Sequence, residues 1–130
     1  MSSYNEVGID SLMGKTITDI MGMERGVDEI VFTCSDGTEY RMYHEQDCCE
    51  GVWVEDVCGE VETLLNSPIL RAEERVSGEN PPGYEDSDYP PDSFTWTFYE
   101  LATIKGSVTL RWYGESNGYY SEEVTFAMMT

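Results

Sequence analysis

The sequence predicts an α+β domain: an antiparallel sheet of about six to eight strands, with one principal helix and a C-terminal three-stranded meander. Three observations predict it. Apolar residues alternate at period two through residues 93–104 (SFTWTFYELATI), 107–113 (SVTLRWY) and 122–128 (EEVTFAM). Asp36-Gly37 separates two further alternating runs, 29–34 and 39–44, as a tight turn separates hairpin strands. Val57, Val61, Leu64 and Leu65 fall at helical spacing behind Asp56, a residue type that caps helices.

In chain order, residues 7–13 make one short helical turn ended by Gly14, and residues 15–23 follow as a β-rich run. A two-residue turn at Asp36-Gly37 then sets Val31 opposite Met42, Phe32 opposite Arg41, Ile30 opposite Tyr43 and Glu29 opposite His44. That last pairing makes His44 half of a surface ion pair. Residues 52–56 form a short strand, and the principal helix covers 56–66, with its apolar stripe on the sheet and Asn66-Ser67-Pro68 as its stop. Glu60 and Glu62 lie off the stripe, near the positive N-terminal end of that helix, where acids stabilise. Residues 69–76 form another strand. Residues 78–92 (GENPPGYEDSDYPPD) carry four of the five prolines and no basic residue, which reads as an exposed acidic loop.

The meander follows, with turns at Lys105-Gly106 and at Asn117-Gly118. A three-residue second loop closed by a glycine bulge sets Trp112 against Val124 and Leu110 against Phe126, matching apolar with apolar. Tyr99, Leu101, Leu110, Trp112, Val124 and Phe126 then share one face, the expected core. Trp96, Phe98, Arg111 and Tyr113 occupy the other, either covered by the N-terminal hairpin or open as a ligand platform with Arg111 as its cation.

At 130 residues, 40% of them apolar, the chain suits a single domain over 1–130 with a core of its own, so its charge is a surface property. Twenty-six acidic residues against seven basic ones give −19, which excludes direct nucleic-acid binding and anionic membranes and attracts cationic partners. The start MSSYNEVGID has neither the basic residues nor the apolar run of a secretion signal, so the expected location is intracellular. The four cysteines are accordingly expected as thiols.

Chemistry-bearing residues concentrate in residues 43–62 (YHEQDCCEGVWVEDVCGEVE). This stretch holds the only histidine, three of the four cysteines and the carboxylates Glu45, Asp47, Glu50, Glu55, Asp56, Glu60 and Glu62. His44, Cys48, Cys49 and Cys58 could supply a tetrahedral zinc site, but adjacent cysteines on an extended chain point to opposite sides. A cysteine nucleophile with His44 as base meets a second objection, because neighbouring carboxylates disfavour the thiolate. Acids beside aromatics (Glu50, Glu55 and Asp56 near Trp53, and the loop acids near Tyr84 and Tyr89) have the composition of a sugar site, yet an acid-rich chain produces such neighbours by chance. Asp86-Ser87-Asp88 starts like a calcium loop, but Pro90 stands where the third oxygen ligand belongs. No phosphate-binding loop, dinucleotide fingerprint or nucleophile elbow occurs. No cofactor is expected, zinc being the alternative.

The runs His44 to Glu50 (HEQDCCE), Val54 to Glu60 (VEDVCGE), Ser67 to Leu70 (SPIL), Ser93 to Tyr99 (SFTWTFY), Ala102 to Gly106 (ATIKG) and Arg111 to Gly114 (RWYG) resemble a family of small uncharacterised proteins encoded by bacteriophages. The likeness spans residues 15–128. It implies a phage setting, the cytoplasm of an infected bacterium and a one-domain architecture, and it brings no catalytic residues. The expected function is non-enzymatic binding of a basic host protein, by acids that imitate nucleic-acid charge at Glu45 to Glu62 and in the loop 79–92. The alternatives are a small ligand held by Trp96, Arg111 and Tyr113, or a metal or enzymatic centre at His44, Cys48, Cys49 and Cys58.

Overall fold

The computed structural model describes residues 4–81 and 91–129. It is nearly all β. Among the described residues nine strands form two antiparallel sheets: β1 (Tyr4–Glu6), β2 (Ile17–Met21), β3 (Glu29–Cys34), β4 (Glu39–Tyr43) and β9 (Thr125–Met129) in the order β1-β9-β4-β3-β2, and β5 (Gly51–Cys58), β6 (Arg71–Ser77), β7 (Ser93–Thr103) and β8 (Gly106–Ser116) in the order β5-β8-β7-β6. The inner faces share one core, where Ile30, Phe32, Tyr40, Met42 and Phe126 of the first sheet meet Val54, Tyr99, Leu101, Leu110 and Trp112 of the second. The Trp112 indole N–H donates across it to Met42 Sδ at 3.1 Å.

The expected α+β architecture is therefore corrected, and with it the principal helix over 56–66. Among the described residues the helical segments are two single 3₁₀ turns, Ile9–Leu12 and Val61–Leu64. Residues 51–58 extend instead as β5, whose β-branched run suits a pleated surface better than a helix. A bulge between Val54 and Asp56 adds one residue, so Val54 lies opposite Trp112 and Val57 opposite Leu110, both inward. The end of β5 at Cys58, followed by the 3₁₀ turn that buries Leu64, places Val57, Val61 and Leu64 at helix-like intervals without a helix. Gly59 ends the strand at φ +118.

Two registers also differ. The first hairpin closes through Ser35, Asp36 and Gly37, with Gly37 at φ +89 and the Asp36 carboxylate accepting the Thr38 N–H at 3.0 Å. Ile30 then opposes Met42, Phe32 opposes Tyr40, and Glu29 opposes Tyr43 instead of His44. Directly opposed residues share a face, and these apolar pairs all point inward, which the one-residue-shifted pairing would prevent. The β7–β8 turn sits at Ile104-Lys105, so Tyr99 meets Leu110 and Leu101 meets Val108. This is a shift of two from the expected pairing, and it leaves the faces unchanged.

The three-stranded meander is corrected as well. β9 does not pair with β8; it crosses to the other sheet and lies between β1 and β4. Gly114 makes room for the crossing, since a Cβ there would stand 3.0 Å from the Glu122 backbone oxygen and 3.1 Å from Val52. Glu122 is buried and accepts from the Thr95 hydroxyl at 2.6 Å and from the Ser116 hydroxyl at 2.5 Å, which pins the connection to β7 and β8. The N-terminal hairpin consequently covers the Tyr99/Leu110/Trp112 face and not the Trp96/Phe98/Tyr113 face.

Candidate functional site

Between β4 and β5 the chain runs through residues 44–50 without regular structure, and one carboxylate organises it. The Glu50 side chain is 0% exposed and that of His44 4%. Glu50 Oε2 accepts from His44 Nε2 at 2.7 Å and from the Asp47 N–H at 2.9 Å; Oε1 accepts from the Cys48 N–H at 2.9 Å and from the Gln46 amide at 3.2 Å. Two donors per oxygen leave this carboxylate fully occupied. Burial acts most strongly on the Glu50 carboxyl and pushes its pKa up, but the His44 ring and the N–H groups of Cys48 and Asp47 outweigh it, and the value is held at about 2.

His44 is placed by both of its nitrogens. Nδ1 donates to the Glu123 carbonyl at 2.6 Å, because a carbonyl oxygen only accepts, and Nε2 faces the Glu50 carboxylate. Both ring nitrogens thus face oxygens, and the ring and the carboxylate form a buried hydrogen-bonded pair. The Glu123 carbonyl lies just before β9, so the pair ties the entry to β5 to the segment that crosses between sheets. Gln46 adds two bonds, from its amide to the Glu50 carbonyl at 2.6 Å and to the Cys48 carbonyl at 3.2 Å. These bonds tie His44, Gln46, Asp47 and Cys48 to one carboxylate and fix the loop.

The loop displays other side chains outward. Glu45, Asp47, Cys48 and Cys49 are exposed, and the two cysteines are joined to each other by a disulfide. Glu45 and Asp47 line a concavity of about 360 Å³ together with Glu6, Ser121, Glu123 and Thr125. Glu6 and Glu123 escaped sequence reasoning. They come from the two ends of the chain, and β1–β9 pairing, which no local pattern announces, brings them here.

The expected site residues divide in space. Glu45, Asp47 and Glu50 lie just before β5, whereas Cys58 is its last residue and Glu60 and Glu62 lie beyond it, about 25 Å of extended chain away. Glu55 and Asp56 sit between and are paired, Glu55 with Arg25 at 3.1 Å and Asp56 with Arg111 at 3.8 Å. His44, Cys48, Cys49 and Cys58 do not converge, and among the described residues no three His, Cys, Asp or Glu side chains are grouped to hold a metal ion. Trp96 and Tyr113 pack on each other, ring centres 4.9 Å apart, beside Phe94, Phe98 and Trp53. Trp96 Nε1 donates to Asn80 at 3.0 Å. Of the acidic loop 78–92, together with the calcium-like and sugar-site residues in it, residues 82–90 lie outside the described residues.

All seven Lys and Arg side chains are engaged within the chain. Lys15 pairs with Asp36, Arg25 with Glu55, Arg41 with Glu29, Arg71 with Glu73 and Glu100, and Arg111 with Asp56. Arg75 lies over the Phe98 ring, and Lys105 donates to the Leu65 carbonyl. No helix among the described residues is long and apolar enough to cross a membrane. No curated protein and no solved structure matches the chain. A family model described as a domain of unknown function, DUF7448, matches residues 10–126, nearly the whole chain, and the protein belongs to that family.

Proposed function

We propose that the chain binds a basic protein partner without catalysing a reaction, with the acidic concavity at the start of β5 as the contact. The observation that carries this is the engagement of every Lys and Arg by the chain's own groups, while Glu45 and Asp47 stand exposed beside Glu6 and Glu123. A partner meets a surface with a large excess of negative charge, which attracts cationic groups and repels nucleic acid. The Glu50–His44 cluster adds preorganisation, because the loop that presents these acids is already ordered before contact. The likeness to phage-encoded proteins supports a bacterial host protein as that partner, met in the cytoplasm of the infected cell. A groove built for phosphates is the kind of surface such acids fit.

The test is recovery of a partner from nuclease-treated bacterial lysate on the immobilised chain, compared with the Glu45→Lys/Asp47→Lys variant. Both side chains are exposed, so the variant keeps its fold, which its melting temperature checks. The expected result is a basic protein whose affinity falls about tenfold or more between roughly 50 and 300 mM salt and is lost with the variant. Binding that survives both the charge reversal and the salt overturns the reading.

A further inference from the structure

The 48–49 peptide unit is held from two directions. Its sulfurs are bonded to each other, which closes a small ring containing that peptide, and the ring stands exposed on the loop. Its own carbonyl, that of Cys48, accepts from the Gln46 amide at 3.2 Å, and the preceding Cys48 N–H donates to Glu50 at 2.9 Å. Any change at the sulfurs therefore acts directly on a peptide joined to the buried Glu50–His44 pair. We propose that Cys48 and Cys49 are a reversible dithiol–disulfide couple, exchanging with low-molecular-weight thiols and disulfides, whose state sets how firmly residues 46–50 are held.

The remaining cysteines are poor competitors. Cys34 is buried, which pushes its thiol pKa up. Cys58 is exposed, but its thiol donates to the Asp56 carboxylate at 3.2 Å, and that hydrogen bond is the main cause of its raised pKa. Both are kept as thiols, while Cys48 and Cys49 have each other within bonding reach, where ring closure needs no encounter.

In the oxidising direction, one of the two thiolates attacks a sulfur of glutathione disulfide and breaks its S–S bond, releasing one glutathione thiolate. The neighbouring thiolate then attacks the protein-side sulfur of the mixed disulfide and expels the second. The protons of the two cysteines pass through solvent to the two glutathione thiolates. Two electrons leave the protein; a dithiol reductant returns them by the reverse steps. With the ring open, the 48–49 peptide can rotate away from Gln46, and the Cys48 N–H loses part of its alignment on Glu50.

The experiment uses the full chain equilibrated with glutathione disulfide or with dithiothreitol. Cysteine alkylation is read by peptide mass, and exchange of the Asp47 and Cys48 amide protons by NMR. Expected after oxidation are Cys48 and Cys49 blocked to alkylation while Cys58 is labelled, full reversal by dithiothreitol, and amide exchange about tenfold slower in the oxidised form. The Cys48→Ser/Cys49→Ser variant should show the faster exchange under both conditions. Alkylation of both cysteines after oxidation, a persistent mixed disulfide or a Cys58-linked dimer overturns the couple. Equal amide exchange in the two states overturns its link to the loop.

Discussion

At the start of β5 the Glu50 carboxylate is fully buried and accepts four hydrogen bonds, while past the strand's other end Glu60 and Glu62 stand in solvent with no salt bridge among the described residues. The same residue type, in one acidic stretch of sequence, does opposite work. Glu50 spends its charge inside the molecule, ordering a loop; Glu60 and Glu62 leave theirs to the surrounding field. Net charge alone therefore misstates what each acid contributes. What distinguishes the two ends is whether donors converge: a histidine, an amide and two backbone N–H groups at one, open water at the other.

Substituting Glu50→Gln attacks the comparison at its strongest point. The amide removes the charge and turns one acceptor oxygen into a donor facing donors, which leaves buried N–H groups of the cluster without an acceptor. A fall in melting temperature on the order of 10 °C at pH 7 is expected by calorimetry, the largest effect proposed here. The pH profile sharpens it. The Glu50 pKa is lowered on folding from 4.5 to about 2, so its stabilisation is fully present above about pH 4.5 and is lost as pH falls through about 2. The gap between wild type and Glu50→Gln should close over that window. A gap that stays constant down to pH 2 would show that the carboxylate acts by shape and not by charge.

At the other end of β5 the backbone matters more than charge. Gly59 turns the chain at φ +118, and a Cβ there would meet the Ser107 carbonyl oxygen at 2.5 Å and the Val108 Cα at 3.1 Å. Both contacts are main-chain atoms of β8, which cannot step aside. Gly59→Ala should cost about 2 kcal/mol or more, measured as a lower urea midpoint at unchanged slope. A cost below about 0.5 kcal/mol would mean that this end of β5 is loosely held, and the contrast between the two ends would be one of rigidity as well as charge.

How much of this could be read from the chain depends on the range of the cause. Alternation located β7, β8 and β9, and the residues expected in the core, Tyr99, Leu101, Leu110, Trp112, Val124 and Phe126, do meet there. The partner of β9 was illegible, because Val124 and Phe126 suit a strand in either sheet, and the choice is made by Gly114, by the buried Glu122 and by pairing with Tyr43. Asp56 to Asn66 misled for a local reason. The end of β5 followed by a single 3₁₀ turn over Val61–Leu64 spaces its apolar residues as a helix would, and nothing in a linear pattern separates the two when the run is short. The site was half legible. His44, Cys48, Cys49 and Glu50 drew attention by composition, but a carboxylate's burial depends on donors such as the Gln46 amide and on the Glu123 carbonyl that orients its partner, seventy-nine residues from His44.

The smallest expected effect tests the comparison without disturbing the fold. Glu45→Gln/Asp47→Gln and Glu60→Gln/Glu62→Gln each remove two exposed charges, one pair from each end of β5, so the two variants have equal net charge. Neither pair contributes a side-chain acceptor to the Glu50 cluster, and each variant should stay within about 0.5 kcal/mol of wild type in urea denaturation. Partner affinity should separate them. If the concavity is the contact, the Glu45/Asp47 pair weakens binding severalfold more than the Glu60/Glu62 pair, because only the first lies at short range of the bound cations. Equal weakening would mean that the partner senses the field of the whole surface, that position along β5 is immaterial to recognition, and that the ordered loop serves the fold alone.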